Sequence, residues 1–272
     1  MKSLSEAVFP RRHPKELDEH LVGLVAPASF AAEQYRVLRY LIEQRRREAS
    51  LQIVALTSPA PGDGKTTTAI NLAATLAQTP EARVLLVDAD VRRGAIASHL
   101  GLDGPGGGLV DAILDARLAL GNVVRHLPPF NLSVLTAGRR PANPYEVLKS
   151  PRLGELLAHA RQQYDYVVLD TPPIVPVPDA RVIANWVDGF LLIVAAHRTP
   201  RELVEKALDV VPSAKLLGQV FNFDDRPLGG YHGYYEYYSG SSQSPNGHGS
   251  NWWRRVAIGA SRRLWGRRSA RS

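Results

Sequence analysis

Apolar and polar positions along the chain follow two rhythms. Gln52 to Leu56, Val84 to Val87 and Gly189 to Ala195 are continuous apolar runs that read as buried strands. Asn131 to Thr136, Tyr164 to Asp170 and Leu216 to Phe221 read as further strands. The stretches between them place apolar residues three and four apart. Ala69, Leu72, Ala73 and Leu76 share one helical face, and Tyr145 to Gln163 is amphipathic and helical. Val110 to Leu118, Asp179 to Trp186 and Pro200 to Val211 are further helical stretches. Ahead of the first strand a helix starts with Ser29 as N-cap and carries Tyr35, Leu38 and Leu41 or Ile42 on one face. This alternation predicts an α/β fold: a doubly wound, mainly parallel sheet flanked by helices, with right-handed crossovers.

The periodic region spans residues 28–226 and reads as one domain. Residues 1–27 read as a loosely held N-terminal arm. Residues 227–250 are rich in Tyr, Gly and Ser and read as a tail without fixed structure. Residues 251–272 read as a basic amphipathic extension. Hydrophobic residues make up 44% of the 272, enough for a sizeable core.

Charge changes the picture at one end only. The net charge is +7, and the last 22 residues hold seven arginines and no acid. The 33 basic and 26 acidic residues of the whole chain therefore balance over 1–250. A nucleic-acid-binding face on the domain is not expected. There is no cysteine, which fits a reducing compartment and excludes a thiolate metal site. There is also no long apolar run of the kind that spans a membrane, and Met1 to His20 is too polar for a secretory signal.

The candidate chemistry lies between the first strand and its helix, in Ser58-Pro-Ala-Pro-Gly-Asp-Gly-Lys-Thr-Thr67. This is a phosphate loop with Ala60 at the first glycine of the usual pattern. Pro61, Gly62, Asp63, Gly64, Lys65, Thr66 and Thr67 are the positions expected to contact a nucleotide. Gly62 and Gly64 let backbone N–H groups face its phosphates, and the helix N-terminus adds its dipole. Lys65 should reach the β- and γ-phosphates, and Thr66 should hold Mg²⁺. Asp88 and Asp90 follow the second strand, at the sheet edge where ligands bind. Asp170 ends another apolar run, as the acid of a second Walker motif does, and should meet Mg²⁺.

Other positions keep two readings. Glu33, Arg36 and Arg39 share a helix face, which a solvated, self-paired surface would also explain. Asn222 reads either a base edge or a turn. Five of the ten tyrosines, Tyr231, Tyr234, Tyr235, Tyr237 and Tyr238, lie within eight residues, as binding residues or as substrates of a modification. On a helix, Trp252, Val256, Ala260 and Leu264 would align, flanked by arginines. That stripe suits an anionic membrane surface, or a solvated tail that sticks to polyanions.

In combination these motifs resemble a known family, the cytoplasmic domain of bacterial tyrosine kinases. These are the capsular and exopolysaccharide autokinases, within the deviant Walker-A class of P-loop ATPases. The markers are Glu33-x-x-Arg36-x-x-Arg39, the phosphate loop, Val87-Asp-Ala-Asp-Val-Arg-Arg93, Ala137-Gly-Arg-Arg-Pro-Ala-Asn-Pro144, Asp170-Thr-Pro-Pro173, Pro178-Asp-Ala180 and the tyrosine cluster. The resemblance implies a Mg²⁺-ATP-dependent protein-tyrosine autokinase regulating capsular or exopolysaccharide polymerisation and export. It implies that Lys65 and Thr66 bind phosphate and Mg²⁺, and that Asp88 acts on the attacking phenol as base or orienter. Asp90 and Asp170 would hold Mg²⁺. Glu33, Arg36 and Arg39 would lie between subunits of a homo-oligomeric ring. Tyr231 to Tyr238 would be phosphorylated by a neighbouring subunit. A separate inner-membrane activator, the polysaccharide co-polymerase, is implied, with the chain cytoplasmic at the inner face of the cell membrane. An ATPase switch, or an assembly factor without kinase activity, is the alternative.

Overall fold

The structure, a computed structural model, describes residues 17–102, 106–224 and 255–259. It opens with two helices, α1 (Val22–Val25) and α2 (Phe30–Ala49). Strand β1 (Ile53–Thr57), helix α3 (Lys65–Leu76) and strand β2 (Val84–Asp88) form the first crossover unit. Short helices α4 (Ile96–His99), α5 (Leu109–Leu114) and α6 (Leu120–Val123) lead to β3 (Arg125–His126) and β4 (Leu132–Leu135). Helices α7 (Pro144–Lys149) and α8 (Pro151–Gln163) precede β5 (Tyr166–Asp170). Then come α9 (Asp179–Ile183), β6 (Gly189–Ala195), α10 (Arg201–Val210), β7 (Leu216–Asp224) and β8 (Arg255–Gly259).

The sheet order is β3-β4-β2-β5-β1-β6-β7-β8, parallel from β4 to β7 and antiparallel at both edges. The doubly wound, mainly parallel sheet expected from the sequence is therefore present. Parallel strands bury both faces, so alternate residues feed different cores. Ile53, Ala55, Leu85 and Val87 pack under α5 and α8, whereas Val54, Leu56, Val84 and Leu86 pack under α1, α2 and α3. The carboxyl ends of β1, β2 and β5 meet on one edge, with Asp88 opposite Asp170 in register.

Four expectations need correction. The loosely held arm is docked from Leu17 onward: Leu21, Val22 and Leu24 are buried against α3. The Gly23 N–H donates to Asn71 Oδ1 at 2.8 Å, and Asn71 Nδ2 donates to the His20 carbonyl at 2.9 Å. A side chain at Gly23 would press on the Asn71 carbonyl and the Ala74 methyl, so glycine permits this approach. Leu21→Ala should remove about 3 kcal/mol of stability, the usual loss for a fully buried leucine. Urea unfolding checks this, and a loss below about 1 kcal/mol would refute the docking.

The single helix expected over 145–163 is two helices. Pro151 pushes Ser150 out of the helical region, to φ −58 and ψ 133, and the Ser150 hydroxyl then caps α8 by accepting from the Arg152 N–H. The helix expected over 110–118 ends at Leu114, because Asp115 turns the chain by accepting from the Arg117 N–H. Within the extension expected to be helical, 255–259 is a strand that pairs antiparallel with β7. An open edge strand offers unpaired backbone groups, and a further strand satisfies them. The rest of 251–272, the arm before Leu17, and the tail with Tyr231, Tyr234, Tyr235, Tyr237 and Tyr238 lie outside the described residues. Among the described residues no helix is long and apolar enough to cross a membrane.

Candidate active site

The phosphate loop turns on two left-handed glycines, Gly62 at φ +86 and Gly64 at φ +88. The loop is braced from three sides. Asp63 is buried, accepting from the Ala60 N–H at 2.9 Å and from the Thr199 hydroxyl at 2.8 Å. Asn222 Nδ2 donates to the Asp63 carbonyl and to Thr68 Oγ1, each at 3.0 Å. A Cβ at Gly64 would lie 2.5 Å from that amide nitrogen. The Asp63 carboxylate is thus bonded to Ala60 and Thr199. The Asn222 amide nitrogen braces the loop, and α3 behind it, through the Asp63 carbonyl and the Thr68 hydroxyl. Thr199 carried no signal in its own right, apart from being a Thr-Pro pair just past a buried strand at the ligand edge.

The three acids expected from the sequence converge with Lys65. Lys65 Nζ lies 3.1 Å from Asp90 Oδ2. Thr66 Oγ1 donates to Asp170 Oδ2 at 2.6 Å. Asp88 accepts from the Asp90 N–H at 3.2 Å through Oδ1 and from the Ile96 N–H at 3.0 Å through Oδ2. Asp90 Oδ1 accepts from the Arg93 N–H at 3.1 Å. Asp88, Asp90 and Asp170 are all buried.

Burial sets the electrostatics. It pushes the Asp88 carboxyl up to about 8, helped by repulsion from Asp170 and Asp90 and opposed by the two N–H donors. Burial likewise pushes Asp170 up to about 6, opposed by Lys65 and the Thr66 hydroxyl, with Asp90 adding repulsion. For Lys65, burial acts to lower the pKa, but Asp170, Asp90 and Asp88 outweigh it and hold the ammonium charged. The site therefore holds an excess of negative charge that one lysine does not balance.

Asp170 Oδ1 is buried and has no hydrogen-bond partner. A carboxylate oxygen left bare in the interior is costly unless a cation meets it. It sits on the carboxylate whose other oxygen accepts from Thr66, the residue type that holds Mg²⁺ in phosphate loops. The donor set, a hydroxyl and carboxylate oxygens, suits Mg²⁺.

Beside these groups a cavity of about 400 Å³ runs from Gly62, Lys65 and Thr66 to Arg93, Pro172 and Pro173. One wall is pinned by Arg92, which donates to both oxygens of the buried Asp179 at 2.6 and 3.0 Å. Arg92 lies in the Val87–Arg93 motif and Asp179 in the Pro178–Ala180 motif. Their pairing joins the β2 loop to α9, 87 positions apart.

The face of Glu33, Arg36 and Arg39 is paired within the chain. Arg36 contacts Glu33 and donates to the Pro27 carbonyl at 2.6 Å. Arg39 donates to Glu43 at 2.7 Å and to the Thr75 carbonyl, near the end of α3, at 3.2 Å. On the same helix Val37 and Tyr40 are 52% and 54% exposed.

A family model described as an AAA domain matches residues 51–185, which hold the phosphate loop and all three acids. Tyrosine-protein kinase YwqD of Bacillus subtilis is 34% identical over 221 residues, covering 80% of this chain and 92% of that protein. Tyrosine-protein kinase Wzc of Salmonella typhimurium is 33% identical over 224 residues, and there the match spans 80% of this chain but only 30% of the relative. Among solved structures, the kinase domain of the Escherichia coli tyrosine kinase ETK superposes with a TM-score of 0.70 at 29% identity, covering 79% of this chain and 84% of that domain. With about a third of the aligned residues identical along nearly the whole of one such kinase, and the same fold as the kinase domain of another, the chain belongs to the bacterial tyrosine-protein kinase family.

Proposed function

We propose that the protein is a Mg²⁺-ATP-dependent protein-tyrosine autokinase that regulates capsular or exopolysaccharide polymerisation and export. The observation that carries this reading is the bare Asp170 Oδ1 beside Thr66 and Lys65, at the mouth of a phosphate loop. Backbone N–H groups of the loop and the N-terminus of α3 cradle the ATP phosphates, and Lys65 shifts from Asp90 to the β- and γ-phosphates. Thr66, Asp170 and Asp90 would hold Mg²⁺, which neutralises charge building on the phosphates. The phenolic oxygen of a tyrosine then bonds to the γ-phosphorus as the bond to the β–γ bridging oxygen breaks, leaving ADP. The phenolic proton goes to, or is oriented by, Asp88. A carboxylate with its pKa near the working pH suits that task.

The acceptors in this reading are Tyr231, Tyr234, Tyr235, Tyr237 and Tyr238, presented by a neighbouring subunit. The α2 face with Glu33, Arg36 and Arg39 forms a ring contact, and its exposed flank of Val37 and Tyr40 supports that reading. The activator is a separate membrane protein of the polysaccharide machinery, which places the chain at the cytoplasmic face of the membrane. The basic extension adds a contact with anionic lipid.

Phosphotyrosine mass mapping of the full chain from its native host tests the proposal. Phosphate should map to 231–238 and vanish when those five tyrosines become phenylalanine. ADP release without phosphotyrosine, even with the membrane partner co-expressed, would overturn it in favour of an ATPase switch.

A further inference from the structure

The cavity has a side that the phosphate loop does not explain. Beyond Lys65 and Asp90 its wall is apolar: Ala95, Pro172, Pro173, Pro176 and Val177. Two of these prolines are held rigidly. The Thr57 hydroxyl donates to the Pro172 carbonyl at 2.9 Å, the Thr171 hydroxyl donates to the Leu56 carbonyl at 2.8 Å, and the Ile174 N–H donates to the Ser58 carbonyl at 2.9 Å. The wall is therefore tied to β1 and to the start of the phosphate loop. It begins two residues past Asp170 and lines the same cavity as Lys65, Thr66 and Asp90. A phenol attacking the γ-phosphorus of an ATP held by Lys65 and Thr66 has to enter this cavity. Fixed proline rings and a valine offer its ring a flat apolar surface.

At the rim stands Arg93. Its neighbour Arg92 is committed to Asp179, and its backbone is fixed by the Asp90 carboxylate. Arg93 itself is exposed, and among the described residues no carboxylate pairs with its side chain. An arginine left unpaired at the mouth of a site is suited to an incoming anion. The tyrosine cluster supplies one: Glu236 stands between Tyr235 and Tyr237.

We propose that the proline wall receives the ring of the acceptor tyrosine and that Arg93 selects acceptors with an anionic neighbour. The occupant is the segment 231–238 of a second copy, with Glu236 against Arg93. This rests on the phosphotransfer reading and adds its acceptor specificity. It has a consequence for order: each phosphotyrosine formed is a stronger anion than Glu236, so the first transfer improves the segment as acceptor for the next.

The test uses the full chain with its five tail tyrosines changed to phenylalanine, so that all transfer goes to added peptide. The peptide is residues 230–240 of this sequence, compared with its Glu236→Gln form and with a form phosphorylated at Tyr235. An exposed ion pair predicts a KM about fivefold higher for the Gln peptide. The phosphorylated peptide should have a lower KM than the parent. In Arg93→Ala the difference between Glu and Gln peptides should disappear, with kcat and the KM for ATP unchanged, and Arg93→Lys should restore part of it. Val177→Asp should raise the KM for every peptide and leave that for ATP alone. Equal discrimination by this parent enzyme and its Arg93→Ala form would overturn the proposal and leave the kinase reading intact. A raised KM for ATP in Arg93→Ala would also overturn it, by assigning Arg93 to the nucleotide. No transfer to any peptide by the parent enzyme would overturn both.

Discussion

Lys65→Met abolishes tyrosine phosphorylation, by about a thousandfold or more, while the protein stays folded. Lys65 is the cation drawn into the three-acid cluster, 3.1 Å from Asp90 and electrostatically coupled to Asp170 and Asp88. Removing one preorganised charge from a site that stabilises a transferring phosphoryl group typically loses about 10²–10³ in rate. In the proposed mechanism Lys65 also holds the ATP phosphates, so both kcat and the KM for ATP should suffer. Methionine keeps much of the lysine stem's length, and the side chain is 14% exposed, so packing changes little. Phosphotyrosine yield by mass spectrometry, beside a thermal melt of both proteins, checks the two halves of the expectation. Residual transfer above about a tenth of wild type would show that the charge is supplied elsewhere.

Asp170→Asn should stabilise the ligand-free protein at pH 8 and still lose about a thousandfold in transfer. The sign follows from the raised pKa. Asp170 is pushed from 3.8 to about 6 in the folded chain, chiefly by burial. The native state then holds a proton that the unfolded chain releases above about pH 4. Its favourable contribution is greatest at low pH and fades as pH rises from about 4 through about 6. Asp88, pushed to about 8, extends the same decline to about pH 8. The ligand-free wild type should therefore lose stability from pH 4 to pH 8. The amide of the Asp170→Asn variant carries no charge to bury, so the variant's decline is shallower, and at pH 8 it should gain about 2 kcal/mol over wild type. With Mg²⁺ and ATP the order reverses, since the wild type binds the ion more tightly and gains more stability from it. Melts across pH, with and without Mg²⁺-ATP, measure this. A wild type that stays more stable than Asp170→Asn at pH 8 without ligand would refute the account.

The two predictions rest on residues that were legible at different depths. Lys65 and Thr66 could be read from sequence because a phosphate loop is local. The glycines that turn it and the groups that bind sit within one short stretch, between an apolar run and a helical face. Asp88 and Asp170 were legible as acids ending buried strands, since the carboxyl edge of a parallel sheet is where such groups meet ligand. That Asp88 lies directly opposite Asp170, or that one Asp170 oxygen is bare, depends on strand register and on α3 lying over β5. No local pattern encodes either. Helix ends were less legible than helix cores. The break at Ser150-Pro151 was readable in principle, but the amphipathic period runs straight through it and masks it.

By itself the sequence determined the α/β class, the strands and helices that carry the site, the phosphate loop and its acids, and the family. Each of these is carried by residues close together in the chain, where apolar period, glycine placement and capping chemistry act directly. Only the tertiary structure decided how the site is held. Asp63 and Asn222 brace the loop, Thr199 and Asp179 hold partners across the fold, and the first helix docks onto α3 instead of hanging free. These contacts join residues 48 to 159 positions apart. Their partners are chosen by sheet order and burial, and a buried polar group takes whichever partner the packing brings within reach.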